Sequence, residues 1–477
     1  MMHPKMLSVP SALMQNTFDA TEPLPTLCPV DIPILFGGTT GSSCTASATP
    51  EQDAVASEMD TCMRVLEDIK PKILVFNLFS AFGYHLADAL GIPCLCASPG
   101  VQPSGGAVPL ERVLPRALLE RIDKTDGSLD SGKVTRADLD LWMLPLFHPQ
   151  YTRWRRARGL VPMGSSSASL PVAPPILFGV SPTMLPRPGY WPAKADVCGF
   201  WSFPRLSPRY QPPERLARFL TKCEAEGKPV FAVGLGSMPE LGLVKNAKRI
   251  LETAVLCLRR AGAAVVLLPF GVAAAVAVAA PVGEDDGLKT KKLNFKHLGV
   301  FRCLGPSLFP FRLDERRETC LQPLSRNRPK TSVLPVLRAE TAVFDLSGEA
   351  FVSHTWLLPR CRGIVHHGGS GTTGAALSAG IVQLVIPLAF DQFFFADQVG
   401  YVGVGARVEG TRPRSSGQNP MVAEGDGVTE AGFEQALRLV LSEDCITAAG
   451  RYRELLGDER GVETACAKIS TLANLHK

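Results

Sequence analysis

Hydrophobic and polar residues follow each other in blocks that predict strands and helices in turn. Residues 51–69 carry apolar side chains at helical spacing, and a short apolar run follows at 72–76. The pattern then predicts a second helix over 81–90 and a second strand over 94–97. A helix that connects two buried strands is typical of a parallel sheet. The first part of the chain is therefore predicted to hold an α/β domain.

The same alternation returns after residues 207–213, a proline-rich stretch that we interpret as a linker. Residues 172–204 are also proline-rich, and they are predicted to be irregular. The helices predicted beyond the linker are 214–226, 244–261, 372–379, 393–402, 433–441 and 448–456. The strands predicted there are 229–233, 263–268, 361–365 and 383–386. This pattern indicates a second α/β domain.

We therefore predict an α/β protein with two parallel-sheet domains. The first spans residues 1–205, a linker with the first helix spans 206–227, and the second domain spans 228–477. The uncharged run 261–282 is long enough to cross a bilayer. Because the run is rich in alanine and is interrupted by Pro269, a buried strand followed by a loop is the preferred interpretation.

Residues 281–338 combine a run of charges with many arginines and little periodicity. So long a stretch without elements is uncommon inside a compact domain, and we interpret it as a disordered insertion. Sequence wrongly retained in the gene model would give the same pattern. A basic interaction arm is the functional alternative.

Charge and cysteine content exclude several classes of protein. A net charge of +5 over 477 residues is too small to indicate nucleic-acid binding. The 13 cysteines are scattered, and no two of them have the Cys-x-x-Cys spacing of a zinc site. A reduced, intracellular protein is therefore expected, and the cysteine spacing does not indicate a zinc site.

The strongest chemical motif is His-His-Gly-Gly-Ser-Gly-Thr-Thr at residues 366–373, between a predicted strand and a predicted helix. Its glycines allow the backbone to approach a ligand closely, and the first N–H groups of a helix bind anions. The motif therefore indicates a diphosphate site. A plain glycine-rich helix start is the structural alternative.

Asp391 and Gln392 follow the predicted strand 383–386. Ligands bind at the carboxyl ends of parallel strands, so this pair is expected beside the glycine-rich loop. A carboxylate and an amide together suit neighbouring hydroxyl groups of a sugar. A carboxylate that caps the next helix is the structural alternative.

Together these residues resemble the UDP-glycosyltransferase superfamily. The segment Arg362–Gly405 is similar to its nucleotide-sugar signature, most of all in the sterol 3-β-glucosyltransferase branch and in bacterial antibiotic glycosyltransferases. Four further stretches of the chain resemble other segments of that branch: Phe351–Pro359, Val230–Met238, Trp191–Trp201 and Phe76–Phe79. The resemblance implies the GT-B fold, in which two Rossmann-like domains face each other across a cleft.

The resemblance also implies which residues hold the diphosphate of the donor, UDP-glucose. His367 contacts the diphosphate, and Ser237 touches it from a second loop. The remaining residues that line it are Gly369, Ser370, Gly371 and Thr372. No metal is needed in this family, since the helix dipole and backbone N–H groups stabilise the departing UDP.

The two ends of the donor have their own implied partners. Val352 and His354 flank the uracil, and Phe351 lies where many members have a stacking aromatic ring. Asp391 and Gln392 hold the glucose hydroxyls. The acceptor implied by the branch is a sterol or another lipid, so a cytoplasmic protein that contacts membrane surfaces is expected.

The chain departs from the family pattern at its start. Nothing in residues 1–50 matches the usual first strand and glycine-rich loop, so the first βα unit is predicted to be absent. That region usually supplies the histidine base, and the carboxylate that orients the base falls at Asn77 here. His85 and His148 are candidate substitutes, although a structural histidine is the preferred interpretation of His85.

Two functions follow from these observations. The first is an inverting transfer of glucose from UDP-glucose to a hydroxyl of a sterol or similar lipid. The second is UDP-sugar binding with little or no transfer.

An NAD-dependent oxidoreductase is disfavoured because Gly234-Leu235-Gly236 lacks the third glycine of the dinucleotide motif. Asp138 and Asp140 fit the metal-binding Asp-x-Asp pattern of the other glycosyltransferase fold, but not its sequence context. A candidate membrane-docking group is formed by Arg153, Arg155, Arg156 and Arg158. The preferred interpretation of these arginines is a solvated helix face.

Overall fold

The computed structural model describes residues 50–101, 110, 114–124, 132–165, 170–201, 210–239, 244, 246–268, 342–346, 352–410 and 427–475. These residues form two parallel sheets, each covered by helices. The predicted insertion at 281–338 and the unmatched start of the chain lie outside the described residues.

The first sheet has four parallel strands in the order β1-β2-β3-β4. A short run of helical turns, residues 136–147, and a buried cluster around Trp142 cover one face of it. The strands are β1 (Leu74–Phe76), β2 (Cys94–Ser98), β3 (Ile176–Phe178) and β4 (Ala195–Val197). The helices are α1 (Pro50–Ile69), α2 (Phe82–Leu90), α3 (Arg116–Asp123) and α4 (Pro149–Ala157).

The second sheet has six parallel strands in the order β10-β9-β8-β5-β6-β7. Its strands are β5 (Val230–Gly234), β6 (Ala264–Leu267), β7 (Val343–Asp345), β8 (Gly363–His366), β9 (Val382–Val385) and β10 (Gly405–Arg407). Its helices are α5 (Glu214–Ala225), α6 (Ala247–Arg260), α7 (His354–Leu357), α8 (Ser370–Ala379), α9 (Gln392–Tyr401), α10 (Glu430–Val440) and α11 (Glu443–Leu456), and α12 (Gly461–Leu475) ends the described chain.

The order of the second sheet has a reversal point beside β5. From β5 the chain first adds β6 and β7 on one side and then crosses to add β8, β9 and β10 on the other. In open parallel sheets, ligands bind in the crevice outside the carboxyl ends of the strands that flank such a reversal. The topology alone therefore points to the loops that follow β5 and β8.

The prediction that residues 172–204 are irregular was wrong. β3 and β4 lie within this range and pair in register, Ile176 with Ala195 and Phe178 with Val197. Each strand has only three residues and is bordered by prolines, so neither produces a periodic pattern.

The preferred interpretation of the run 261–282 is confirmed where it is described, because β6 is buried between β5 and β7. In the described part of the chain, no helix is long and apolar enough to span a membrane.

The last helix, α12, crosses back to the first domain. Ala465 packs with Leu95, Leu177 and Cys198 of the first sheet. At the crossing, the Glu459 carboxylate accepts hydrogen bonds from the hydroxyls of Ser181 and Thr183. The two domains are therefore joined near residues 459–461 as well as through the linker.

We expect Glu459→Ala to lower the free energy of unfolding by about 1–3 kcal/mol, because two hydroxyl donors lose a charged acceptor. Lys468→Ala is the matched control, since its ion pair with Asp196 also joins α12 to the first sheet but is 39% and 40% exposed. Its loss is expected to cost less than about 1 kcal/mol. Chemical denaturation of both variants measures the difference, and equal losses would contradict a special role for Glu459.

Candidate functional site

Three loops leave the second sheet at one level. In the strand register, Gly234 of β5 pairs with His366 of β8, and His366 pairs with Val385 of β9. The loops after these three strands therefore begin side by side at the carboxyl edge of the sheet. They carry Ser237, the glycine-rich segment 367–369 and Asp391, which the sequence predicts to bind one ligand.

His366 fixes the course of the glycine-rich loop. Its Nδ1 accepts the backbone N–H of Gly368 at 3.1 Å, so the ring proton lies on Nε2 and is donated to Gln383 Oε1 at 3.0 Å. Complete burial lowers the pKa of His366 to about 3, which keeps the ring neutral. The first histidine of the pair is thus structural, and His367 is the candidate for ligand contact.

His367 lies between two glycines that come from different loops. A Cβ on Gly236 would lie 2.7 Å from Cε1 of the ring, and a Cβ on Gly369 would lie 2.5 Å from Nε2. Only residues without side chains allow the imidazole this position. Burial, with a smaller contribution from His354, lowers the pKa of His367 to about 4. Its Nδ1 is buried and has no hydrogen-bond partner within the described residues.

Helix α8 begins directly after this ring. Gly369 is its N-cap residue, and the first helical residues are Ser370, Gly371 and Thr372. The N–H groups of this first turn have no partner inside the helix, and the helix dipole makes them attractive to an anion. Thr373 is fully buried and bonds to the Gly369 carbonyl at 3.0 Å, so it stabilises the turn and does not face a ligand.

Asp391 carries the most unusual carboxyl group of the site. Burial raises its pKa from 3.8 to about 7, and the described residues place no cation beside it to offset that cost. The preceding residue, Phe390, has φ of +55°, a conformation that a bulky side chain rarely adopts. A desolvated carboxylate on a strained loop is typical of a functional site.

Gln392, the second predicted sugar ligand, is already engaged by the protein. Its Oε1 accepts the backbone N–H groups of Leu388 and Ala389, both at 2.9 Å, and its Nε2 contacts Met238 Sδ at 3.1 Å. The side chain therefore closes the loop before Asp391 and connects it to the loop after β5. Of its polar atoms, only Nε2, whose partner is a weak sulfur acceptor, has capacity left for a sugar hydroxyl.

The predicted uracil side is described only in part. Phe351 lies outside the described residues, whereas Val352 is buried and His354 begins α7. Burial lowers the pKa of His354, and His354 in turn lowers the pKa values of His366 and His367. The rings of His366 and His367 have centroids 6.4 Å apart, and His354 is close enough to lower the pKa of both.

The residues considered as parts of a base are engaged elsewhere. Asn77 caps a short turn by accepting the N–H of Ser80. His85 is fully buried, Nε2 bonds to the Leu146 carbonyl, and burial lowers its pKa to about 3. His148 accepts the N–H of Gln150 at the start of α4, and burial lowers its pKa to about 4. His85 is therefore a structural histidine, as the preferred interpretation had it.

Other candidate residues have structural roles. Asp138 accepts hydrogen bonds from the backbone and hydroxyl of Thr135, which forms a capping box and argues against the Asp-x-Asp metal reading. Across the residues that the structure describes, no cluster of three histidine, cysteine or acidic side chains could hold a metal. Arg155 is buried and pairs with Asp88 at 2.6 Å, so it is not part of a solvated helix face.

Sequence reasoning missed the residues that shape the site without binding through a side chain. Gly236 lies in the segment Val230–Met238, which resembles the family, but it was not predicted as a site residue, and it forms one wall beside His367. Gly100 lies against the Asp391 carboxylate, and Phe79 lies against Phe390. A β5 loop rich in glycine was a usable signal for Gly236, but contacts between the two domains leave no local pattern.

Two parallel-sheet α/β domains that face each other define the GT-B fold of glycosyltransferases. A solved structure supports this assignment, that of the glycotransferase of kitacinnamycin, with a TM-score of 0.50 and 16% identity over 89% of this chain and 81% of the other. Residues 345–443 match the family described as the erythromycin biosynthesis protein CIII-like C-terminal domain. This range contains the glycine-rich loop and Asp391.

The chain is also similar to named relatives. It is 26% identical over 335 residues to the sterol 3-beta-glucosyltransferase of Candida albicans, covering 70% of this chain and 18% of that protein. It is 24% identical over 418 residues to the sterol 3-beta-glucosyltransferase of Saccharomyces cerevisiae, covering 86% of this chain and 27% of that protein. The resemblance seen in the sequence is thereby confirmed. The chain spans only about a fifth of the length of the curated relatives that it matches first.

Proposed function

We propose that the protein binds UDP-glucose and transfers the glucose to a hydroxyl of a sterol or a similar lipid. The observation that carries this proposal is the joint placement of His367, the first turn of α8 and Asp391 at the reversal point of the second sheet. A neutral imidazole and free N–H groups suit a diphosphate, while a carboxylate that has no cation beside it among the described residues suits sugar hydroxyls. The similarity to sterol 3-beta-glucosyltransferases supports the choice of sugar and acceptor.

In the proposed reaction, a bond forms between the acceptor oxygen and the anomeric carbon while the bond from that carbon to the β-phosphate oxygen breaks. UDP leaves with the electron pair, and the acceptor proton passes to a base. Negative charge grows on the departing diphosphate, where the first turn of α8 and the N–H of His367 stabilise it. We propose that these donors act in place of a metal ion and that the configuration at the anomeric carbon is inverted.

A second candidate function is UDP-sugar binding without efficient transfer. Neither of the two histidines considered as bases is free to accept a proton from the acceptor, and this favours the second function. His85 is fully buried, and His148 caps a helix. A carboxylate relay at Asn77 is also absent. Both functions use the same donor site, and they differ only in the proton transfer.

The test is a transfer assay with the full chain, UDP-[¹⁴C]glucose and cholesterol or ergosterol in detergent micelles, with UDP-glucose binding measured in parallel by calorimetry. We expect labelled steryl glucoside to form, and His367→Ala to reduce both binding and product while the melting temperature is retained. Binding without steryl glucoside or free glucose would favour the second function. Absence of UDP-glucose binding would contradict both.

A further inference from the structure

The loop that carries Asp391 is contacted by the amino-terminal domain at an aromatic pair. The ring of Phe79, just after β1, meets the ring of Phe390 edge to face, with centroids 5.6 Å apart and planes at 87°. This is a favourable aromatic geometry. Because Phe390 is held at φ of +55°, the contact supports a strained backbone conformation directly beside the carboxyl group.

A second contact places backbone of the amino-terminal domain against the carboxylate itself. A Cβ on Gly100 would lie 1.7 Å from Oδ2 of Asp391 and 3.2 Å from the ring of Phe395. The carboxylate therefore rests on the bare Cα of Gly100. This glycine has no left-handed φ, so the space around it, and not its backbone conformation, excludes a side chain.

The segment that contains Gly100 is itself held in place. The Ser98 hydroxyl donates to the Gly100 carbonyl at 2.6 Å, and the Ser98 carbonyl accepts the N–H of Gly179 at 2.8 Å. On the opposite side, the hydroxyl of Ser370 donates to the Pro99 carbonyl. The Ser370 bond thus joins this fixed loop of one domain to the start of α8 in the other, and the contact between Gly100 and Asp391 joins the same loop to the residue before α9.

We infer that Phe79 and Gly100 are positioning residues that direct the Asp391 carboxylate toward the donor sugar. The inference rests on the proposed function and extends it, because residues of the first domain would decide how well the sugar of the donor is held. The nucleotide would depend on them far less, since His367 and the α8 turn belong to the second domain and the bond from Ser370 ends on the Pro99 carbonyl, not on Phe79 or Gly100.

The test compares the affinities of the full chain for UDP-glucose and for UDP by titration calorimetry, because their ratio isolates the contribution of the sugar. We expect Phe79→Ala to weaken UDP-glucose binding about 5–10-fold and to leave UDP binding within about twofold. Gly100→Ala should act in the same direction, since its Cβ would displace the carboxylate. Phe79→Tyr, which keeps the aromatic ring, should restore most of the ratio.

Matched controls come from the same domain. Tyr190→Ala removes an aromatic ring that is 79% exposed, and Gly189→Ala adds a Cβ with no atom within 4 Å. Both should retain the normal ratio. Gly100→Ala removes no apolar contact, so this variant tests the inference if Phe79→Ala fails to fold.

The outcomes separate this inference from the function on which it rests. If the unaltered chain prefers UDP-glucose and both variants keep that preference, the inference is overturned while the proposed function stands. Tighter UDP-glucose binding by the variants would also overturn it, because the contact would then obstruct the sugar. Failure of the unaltered chain to bind UDP-glucose would overturn the proposed function and the inference with it.

Discussion

Gly236→Ala is expected to weaken UDP binding roughly 30–100-fold, the equivalent of losing a hydrogen bond to a charged group. The new Cβ would lie 2.7 Å from Cε1 of His367. The ring has no room to retreat, because the Cα of Gly369 lies against its other side. The imidazole must therefore leave the position from which it would contact a phosphate. Calorimetric titration of the full chain with UDP measures the loss.

Gly262→Ala is the matched control for this experiment. Gly236 and Gly262 both have left-handed φ angles, +59° and +80°, and both belong to the same β5-α6-β6 unit. A Cβ on Gly262 meets no atom within 4 Å, so that variant suffers only the backbone cost of about 1–2 kcal/mol. UDP should bind normally to Gly262→Ala. Equal UDP affinities for the two variants would place His367 outside the phosphate site.

Asp391→Asn is expected to remove both the sugar contribution to donor binding and its dependence on pH. Burial raises the pKa of Asp391 to about 7, so the group is protonated below that pH and ionised above it. Only the ionised form accepts charge-assisted hydrogen bonds from two sugar hydroxyls. UDP-glucose affinity of the unaltered chain should therefore rise about tenfold from pH 6 to pH 8. The variant should bind about 30–100-fold more weakly at pH 8, with a flat profile.

The same substitution should stabilise the protein without ligand. A carboxyl group whose pKa is raised on folding holds its proton in the folded state and loses it in the unfolded state between pH 3.8 and about 7. The unaltered chain therefore loses stability as the pH rises through that window. At pH 8, Asp391→Asn should be more stable by about 1–2 kcal/mol, a value reduced because the carboxylate keeps some contact with solvent.

Thermal unfolding at two pH values checks the sign of this effect. The gain in melting temperature should be present at pH 8 and disappear near pH 4, where both side chains are neutral. A variant that is less stable at pH 8 would show that the carboxylate is paired in the native protein. A UDP-glucose profile that rises equally in the variant would assign the titration to another group.

The order of elements could be predicted from the sequence because most of them carry a clear period. Helix α1 was predicted from 51 and begins at Pro50, and the apolar run at 229–233 became β5. β3 and β4 were not predicted, because three residues are too few to show alternation and the prolines beside them indicate a loop. Helix α12 was not predicted either, since its buried Ala465 contacts residues that lie about 270–370 positions earlier in the chain.

The candidate site was predictable where a local motif states the chemistry. Neighbouring residues at a strand end face opposite sides, and the structure shows His366 bonded to Gln383 and His367 beside Gly236. The hydrogen bonds of Gln392 could not be foreseen, because they depend on how the loop 387–391 folds around the side-chain amide of Gln392. Gly100 and Phe79 were hidden for a different reason, since their partners lie in the other domain.

The most direct measurement of the central claim is titration of the full, unaltered chain with UDP-glucose in the presence of EDTA, beside His367→Ala and Asp391→Asn. The account predicts saturable binding without a divalent cation, strongly weakened by the first substitution at every pH and by the second chiefly above pH 7. Absence of saturable binding, or binding that both variants retain, would contradict a donor site built from the glycine-rich loop and Asp391.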